Sequence, residues 1–170
     1  VKRSNGTWVQ EYVRGVPLGP VSPVENIRGT GTTVFFQPDD EIFEDTTFDA
    51  ETIRSRLDLK SYLIKGLRVV FRDRVNDAYY EFKHEDGLLD YLEDIQKTKE
   101  YNPIHEKPFH LQIVDGTRLE IVLQWTDNSR DHLETFVNSI PTIDGGTHEQ
   151  GFRDGVVKAI RSYIETHDLT

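Results

Sequence analysis

Cysteine and methionine are both missing from these 170 residues. The first absence removes disulfides, thiolate nucleophiles and cysteine-ligated zinc, and it is compatible with a reducing compartment without requiring one. The second, in a chain that opens on Val1, leads us to expect a piece excised from a longer protein. No apolar run approaches the roughly 18 residues of a membrane span, and the first residues are no signal peptide. An excess of positive charge is missing too: 20 Lys and Arg face 30 Asp and Glu, for a net charge of -10. Such a surface as a whole repels nucleic acid, so any DNA contact has to come from a local basic stripe. Internal repeats and low-complexity tracts are absent.

What is there suffices for one domain, or one domain and part of another: 36% of the residues are hydrophobic and 29% charged. Residues 8–14 read as a strand, with Asn5-Gly6 as the hairpin turn before it. Residues 15–31 hold Pro17, Pro20 and Pro23 and read as a loop, and residues 32–37 as a second strand. The acidic stretch 38–47 reads as the boundary between two units. Beyond it, Asp49 is placed to cap a helix over residues 50–64, with Ile53, Leu57 and Ile64 inward and Gly66 as the stop. Leu67, Val69 and Phe71 alternate into a strand that turns near Asn76-Asp77 and returns through Tyr80 and Phe82. Leu88, Tyr91, Leu92 and Ile95 follow helical spacing. Phe109, Leu111 and Ile113 share one strand face, Asp115-Gly116 signals a hairpin, and Leu119, Ile121, Leu123 and Trp125 alternate most clearly of all. Residues 133–139 read as one more strand. The layout after Asp49 is α+β, with helices packed on a mostly mixed sheet.

The run from Val137 to Arg153 carries the most information. Asp144 and Gly145-Gly146 break an extended segment. Thr147 is placed to cap a helix, with Gln150 as its capping-box partner. Phe152, Val156, Ala159, Ile160 and Tyr163 then follow at helical spacing as its inner face.

Other candidate chemistry is weak. Gly29-Thr30-Gly31-Thr32-Thr33 lacks the Gly-Lys-Ser/Thr ending of a phosphate loop and the third glycine of a dinucleotide fingerprint. The run Asp39-Asp40-Glu41 with Glu44-Asp45 puts Glu44 where a calcium loop needs glycine, so it reads as a solvated acidic face. His84, His105, His110, His132, His148 and His167 show no zinc spacing. No Ser-His-Asp set is arguable from the sequence.

Taken together, Asn138, the Gly145-Gly146-Thr147-His148 turn, Gly31-Thr32-Thr33-Val34-Phe35-Phe36-Gln37-Pro38-Asp39 with Glu41-Ile42-Phe43, Arg56-Leu57 through Leu63 with Lys65-Gly66-Leu67, Asn102-Pro103-Ile104-His105 and Leu123-Gln124-Trp125 resemble the ATPase subunits of type IIA DNA topoisomerases in the same order. The resemblance covers nearly the whole chain. It implies the last strands of a GHKL-type ATPase domain over residues 1–44 and a transducer domain over residues 45–170, with a left-handed β-α-β crossover, cut before its Gln-Thr-Lys loop. Gln96-Lys97-Thr98-Lys99 has the wrong order and position to be that loop.

The resemblance also implies roles. Thr32 corresponds to a threonine on the adenine side of bound ATP. The aspartate, general-base glutamate, magnesium-binding asparagine and lid of the family are expected upstream. Arg153 corresponds to an arginine lining the DNA cavity of the dimer, implicated in coupling DNA passage to ATP turnover, and Lys158 and Arg161 extend a basic stripe. A guanidinium suits that task because its fork grips phosphate oxygens at any relevant pH. Asp154 and Gly155 depart from the family pattern, adding a negative charge and about 1 kcal/mol of helix cost. The parent is then an ATP-hydrolysing, cytoplasmic DNA topoisomerase, a dimer using ATP and magnesium, with DNA and the A-type subunit as partners and no membrane. The isolated piece is expected to be monomeric, inactive and without bound cofactor. Both the gyrase and topoisomerase IV branches stay open. The alternatives are a stand-alone α+β interaction module and, more remotely, a mismatch-repair or chaperone ATPase, which lack the Gly-Gly-Thr-His and Leu-Gln-Trp landmarks.

Overall fold

A computed structural model describes residues 1–3, 6–25 and 29–169. The chain divides into two compact units, Val1–Asp49 and Ala50–Thr170.

The first unit is built from short strands. β1 (Lys2–Arg3) and β2 (Gly6–Val9) pair as a hairpin whose expected turn residue Asn5 lies outside the described residues. The strand expected over residues 8–14 is divided: β2 ends at Val9 and β3 (Tyr12–Val13) follows. Arg14 and Gly15, both at positive φ (51° and 79°), then turn the chain into β4 (Val16–Pro17). That combination is the type I′ geometry matching the twist of paired strands. The segment expected to be loop thus contains β4 and also β5 (Ser22–Val24), which closes the sheet in the order β1-β2-β5. Prolines argue locally for a loop, yet Pro23 sits opposite Trp8 on an edge strand, where a missing N–H costs no ladder bond.

Residues 32–37 also differ from expectation. Gly31 exchanges two backbone hydrogen bonds with Lys2, at 2.8 and 3.0 Å, and the pairing stops there. Residues 32–37 form no ladder among the described residues, and Phe35 is 89% exposed. β-Formers need a partner for their backbone groups before they make a strand. The acidic boundary has internal order: Asp39 accepts the Glu41 N–H at 2.9 Å and holds Arg14, which also meets Glu41 at 2.7 Å. Arg14 first, and the Glu41 N–H second, keep the Asp39 carboxyl below the usual carboxylate range.

In the second unit α1 (Ala50–Leu63) packs on the hairpin of β6 (Val69–Asp73) and β7 (Ala78–Phe82), and on α2 (Leu88–Lys99). The β6–β7 turn is fixed by the Asp73 carboxylate, which accepts from the N–H groups of Val75 and Asn76 and from the Asn76 amide. α2 packs on β9 (Thr117–Leu123), the partner of β8 (Phe109–Asp115), and Gly116 (φ 65°) makes their sharp turn. β10 (Phe136–Val137), β11 (Ile140–Pro141) and α3 (Thr147–Thr166) complete the order. The class is α+β. The ladders among the described residues form five small sheets of antiparallel pairs, so no hydrogen-bonded parallel pair gives the sheet the mixed character expected of it or defines a crossover hand.

The packing of α1 departs from its apolar spacing. Ile64 is 46% exposed, and Ser61 and Tyr62 are the buried residues. Ser61 is fully buried because a small side chain permits close approach, and its hydroxyl donates to the Asp58 carbonyl at 2.6 Å. Tyr62 lies flat on His84, with ring centroids 3.4 Å apart, and His84 reaches Asp58 at 3.1 Å. Burial, with nearby carboxylates second, pushes the Tyr62 phenol up to about 12. On α3, Phe152, Val156 and Ile164 are half-buried, whereas Ala159, Ile160 and Tyr163 of the expected inner face are exposed. Tyr163 stacks on His167, with ring centroids 4.0 Å apart.

Ser61→Val should lower unfolding stability by about 1–3 kcal/mol through overpacking, while Ser61→Ala should cost about 1 kcal/mol or less. Urea midpoints check both, and equal effects would show that the space around Ser61 is not tight.

Candidate functional site

The corner before α3 is assembled from hydroxyls and glycines. The segment expected as one strand over residues 133–139 is a hairpin, β10 to β11, turning at Asn138 and Ser139 (φ 50° and 61°). Asparagine tolerates this left-handed conformation better than most residues. Lys60 of α1 donates its ammonium to the Ser139 carbonyl. Beyond β11, the Thr142 N–H donates to the Thr135 carbonyl at 2.9 Å and its hydroxyl to the same oxygen at 3.0 Å. That hydroxyl is then an acceptor for Thr135 Oγ1 and for His148 Nε2, the latter at 3.1 Å.

Two absent side chains make room for this. A Cβ on Gly146 would lie 2.8 Å from His148 Cε1 and 2.9 Å from Nδ1. A Cβ on Gly145, already at φ 70°, would lie 2.8 Å from a Glu149 carboxylate oxygen. The capping box expected of Thr147 and Gln150 does not form. Gly146 holds the cap position, without a side-chain hydrogen bond, and Thr147 is the first helical residue. A capping residue needs non-helical backbone, and the glycine corner places that backbone one residue earlier. The Gln150 amide donates instead to Asp154 at 2.9 Å.

Nearly two turns into α3, Arg153 is held by two carboxylates. Its Nε donates to Glu149 at 3.1 Å and its Nη1 to Asp131 at 2.7 Å. Asp131 first, and Glu149 second, raise the arginine, and Arg153 in turn holds the Asp131 carboxyl below its usual range. Lys158 and Arg161 are exposed on the same helix. At about 100° per residue they lie roughly 140° and 80° around it from Arg153, a broad face and not a narrow stripe.

Two of the sequence landmarks converge. Asn102 exchanges hydrogen bonds with Asp127 through backbone and side chain, between 2.8 and 3.0 Å. The Ile104 N–H donates to the Trp125 carbonyl, and the Gln124 amide donates to the His105 carbonyl at 2.7 Å. His105 Nε2 accepts the Trp125 N–H at 3.0 Å, while Nδ1 meets the Lys107 carbonyl at 2.8 Å. With Nε2 accepting, Nδ1 is the nitrogen placed to donate to the Lys107 carbonyl. The loop after Trp125 reaches α2 as well: Glu134 accepts from the Tyr91 phenol at 2.6 Å and meets His132 at 3.0 Å. Each of the six histidines has its own separate partner.

Thr32 is exposed in the first unit. It borders a concavity of about 320 Å³ with Val1, Lys2, Arg3, Thr30 and Gly31. No carboxylate in that lining could read the exocyclic amine of adenine, and no helix start there could receive phosphates. No group of three or more carboxylates or histidines among the described residues is arranged for a cation. The described residues offer one hydroxyl edge to a nucleotide, and they do not fit the whole of ATP and magnesium.

The family model for DNA gyrase B matches residues 87–170. The gyrase B subunit of Halalkalibacterium halodurans is 36% identical over 99% of this chain, which spans 27% of that relative's length. That of Bacillus mycoides is 33% identical over 99% of this chain and 42% of its own. The 43K ATPase domain of Thermus thermophilus gyrase B, solved with an aminocoumarin, superposes with a TM-score of 0.83 at 30% identity, over 99% of this chain and 46% of that one. The chain belongs to the ATPase-subunit family of type IIA DNA topoisomerases. The relatives just described are gyrase B subunits, and the chain spans well under two thirds of each.

Gly146→Ala should displace His148 and lose its bond to Thr142, lowering stability by about 1 kcal/mol. In a His148→Ala background the same change should cost much less, and an equal cost in both backgrounds would dissociate the glycine from the histidine. A pH dependence follows from Asp127, whose carboxyl Asn102 holds below the usual range through its side chain first and its backbone second. A depressed folded-state value contributes stability that is complete above the unfolded value of about 4 and lost as pH falls through the folded one. Asp127→Asn should therefore flatten the acid side of the melting-temperature profile, and an unchanged profile would remove the argument.

Proposed function

We propose that this chain is the junction of a type IIA topoisomerase B subunit, joining the last strands of the ATPase domain (residues 1–44) to the transducer domain (residues 45–170). On this reading the parent is a cytoplasmic dimer that works with an A-type subunit and changes DNA topology at the expense of ATP. Its nucleotide and magnesium are held mostly by residues other than these, with Thr32 on the adenine side. The chain's own task is mechanical: closure of the ATPase domains reaches the DNA gate through α1, the β10–β11 hairpin and α3. Arg153 faces DNA in the cavity between subunits, with Lys158 and Arg161 beside it, and Gly145, Gly146, Thr147 and His148 hold the corner that aims it.

The observation that carries this is the chain from corner to arginine. The missing Cβ of Gly145 leaves the space in which Glu149 sits, and Glu149 takes Arg153 Nε. A turn kept only for helix entry would not need that space to hold an arginine. A helical lysine fastened to the hairpin that precedes the corner links α1 to the same assembly.

The isolated chain should turn over no ATP above background, and activity in the purified piece would overturn the division of labour. In the full subunit, Arg153→Gln should lower DNA stimulation of ATP turnover by about tenfold, the scale of one charge-assisted contact, with melting unchanged. Unaltered stimulation would remove Arg153 from coupling.

A further inference from the structure

The two carboxylates on Arg153 are not equivalent. A guanidinium offers two two-pronged edges to a phosphate, one made of Nε and Nη2 and the other of Nη1 and Nη2. Glu149 occupies a prong of the first and Asp131 a prong of the second. Neither edge can grip a phosphate by both prongs until one carboxylate leaves. Glu149 is 27% exposed and rests in the space left by Gly145, whereas Asp131 is 75% exposed. It lies on the loop between Trp125 and β10, fastened at one end by Asp127 to Asn102 and at the other by Glu134 to Tyr91. Asp131 is the partner that can swing away without disturbing the corner.

We propose that Asp131 is a competing anion for Arg153, a positioning residue that occupies the Nη1 edge until a DNA phosphate displaces it and that thereby sets the DNA concentration at which coupling responds. The inference rests on Arg153 meeting DNA. In the resting state Asp131 keeps the guanidinium ordered at the head of α3. On DNA arrival the phosphate takes the Nη1/Nη2 edge, Glu149 keeps Nε, and the freed loop carries the change toward Tyr91 on α2. The exchange replaces one anion by another, so Arg153 is never left without a counter-charge.

The test uses the full B subunit assembled with its A partner, titrated with linear double-stranded DNA while ATP turnover is followed. Asp131→Asn should lower the half-saturating DNA concentration about two- to fivefold, the range expected for an exposed ion pair. Asp131→Ala should do the same, and Asp131→Glu should behave as the parent. The shift must vanish in an Arg153→Gln background, because a competitor has no effect once the residue it competes for is gone. Survival of the shift there would reveal only the general field of one lost negative charge and would overturn the proposal. An unchanged or raised half-saturating concentration in Asp131→Asn, with stimulation still lost in Arg153→Gln, overturns the competition while sparing the role of Arg153. Full stimulation in Arg153→Gln overturns both.

Discussion

Two missing β-carbons at Gly145 and Gly146 set the geometry at the head of α3. One absence admits the His148 imidazole, which reaches back to Thr142 and through it to Thr135; the other admits the Glu149 carboxylate, which holds Arg153. The hairpin between Thr135 and Thr142 is in turn pinned by Lys60 of α1. A small steric allowance thus connects the first helix of the second unit to the last. The strength of each link is modest, about 1 kcal/mol for an ordinary hydrogen bond. Together they define the direction in which α3 leaves the corner, because each constrains a different atom of the turn.

The rest of the second unit follows the same economy of apolar burial. Tyr62 is its one large buried side chain among the described residues, and Ser61 its one fully buried residue. Alignment of the elements comes largely from polar cross-links between segments distant in sequence: Asn102 with Asp127, His105 with Gln124 and Trp125, Gln96 with Gln124, Tyr91 with Glu134. Such bonds are directional, and the half-buried Gln96 and Gln124 amides would each incur a desolvation cost on losing their partner. Burial first, and the Glu134 carboxylate second, push the Tyr91 phenol upward, as expected of a group held neutral against an anion. A domain organised in this way can transmit displacement along a loop without needing a large core to deform.

Periodicity made some of this legible and chemistry hid the rest. The helices at residues 50–63 and 88–99 and the hairpin about Gly116 were readable because apolar spacing and turn residues agree there. β4 and β5 were not, since three prolines outweigh a few valines in any local reading, and edge position is a tertiary fact. Residues 32–37 failed the opposite way: strong β-formers were present and the partner was not among the described residues. The Asn138–Ser139 turn carries no local signal, because one strand and two two-residue strands share the same alternation. At the site, the Gly-Gly corner is legible from glycine's backbone freedom alone and Arg153 from family resemblance, but Asp131 from neither. It lies 22 residues from Arg153 in a polar loop, a separation that carries no local signal.

Charge limits what Arg153 can do, and so suggests what it is for. The chain carries -10 overall, and α3 itself balances Arg153, Lys158 and Arg161 against Glu149, Asp154 and Glu165. A neutral helix on an acidic protein has little long-range attraction for a polyanion. Even if all three cations each met a phosphate, the release of about three counterions would leave binding far weaker than that of proteins making six to ten such contacts. Retention of DNA in the proposed relay must then come from the assembled subunits, and a single guanidinium already held between two carboxylates is suited to reporting that DNA has arrived. An anchor would gain from shedding its competing anions. A sensor needs them, because the exchange of one anion for another is what converts the presence of a phosphate into movement of the loop that held the first.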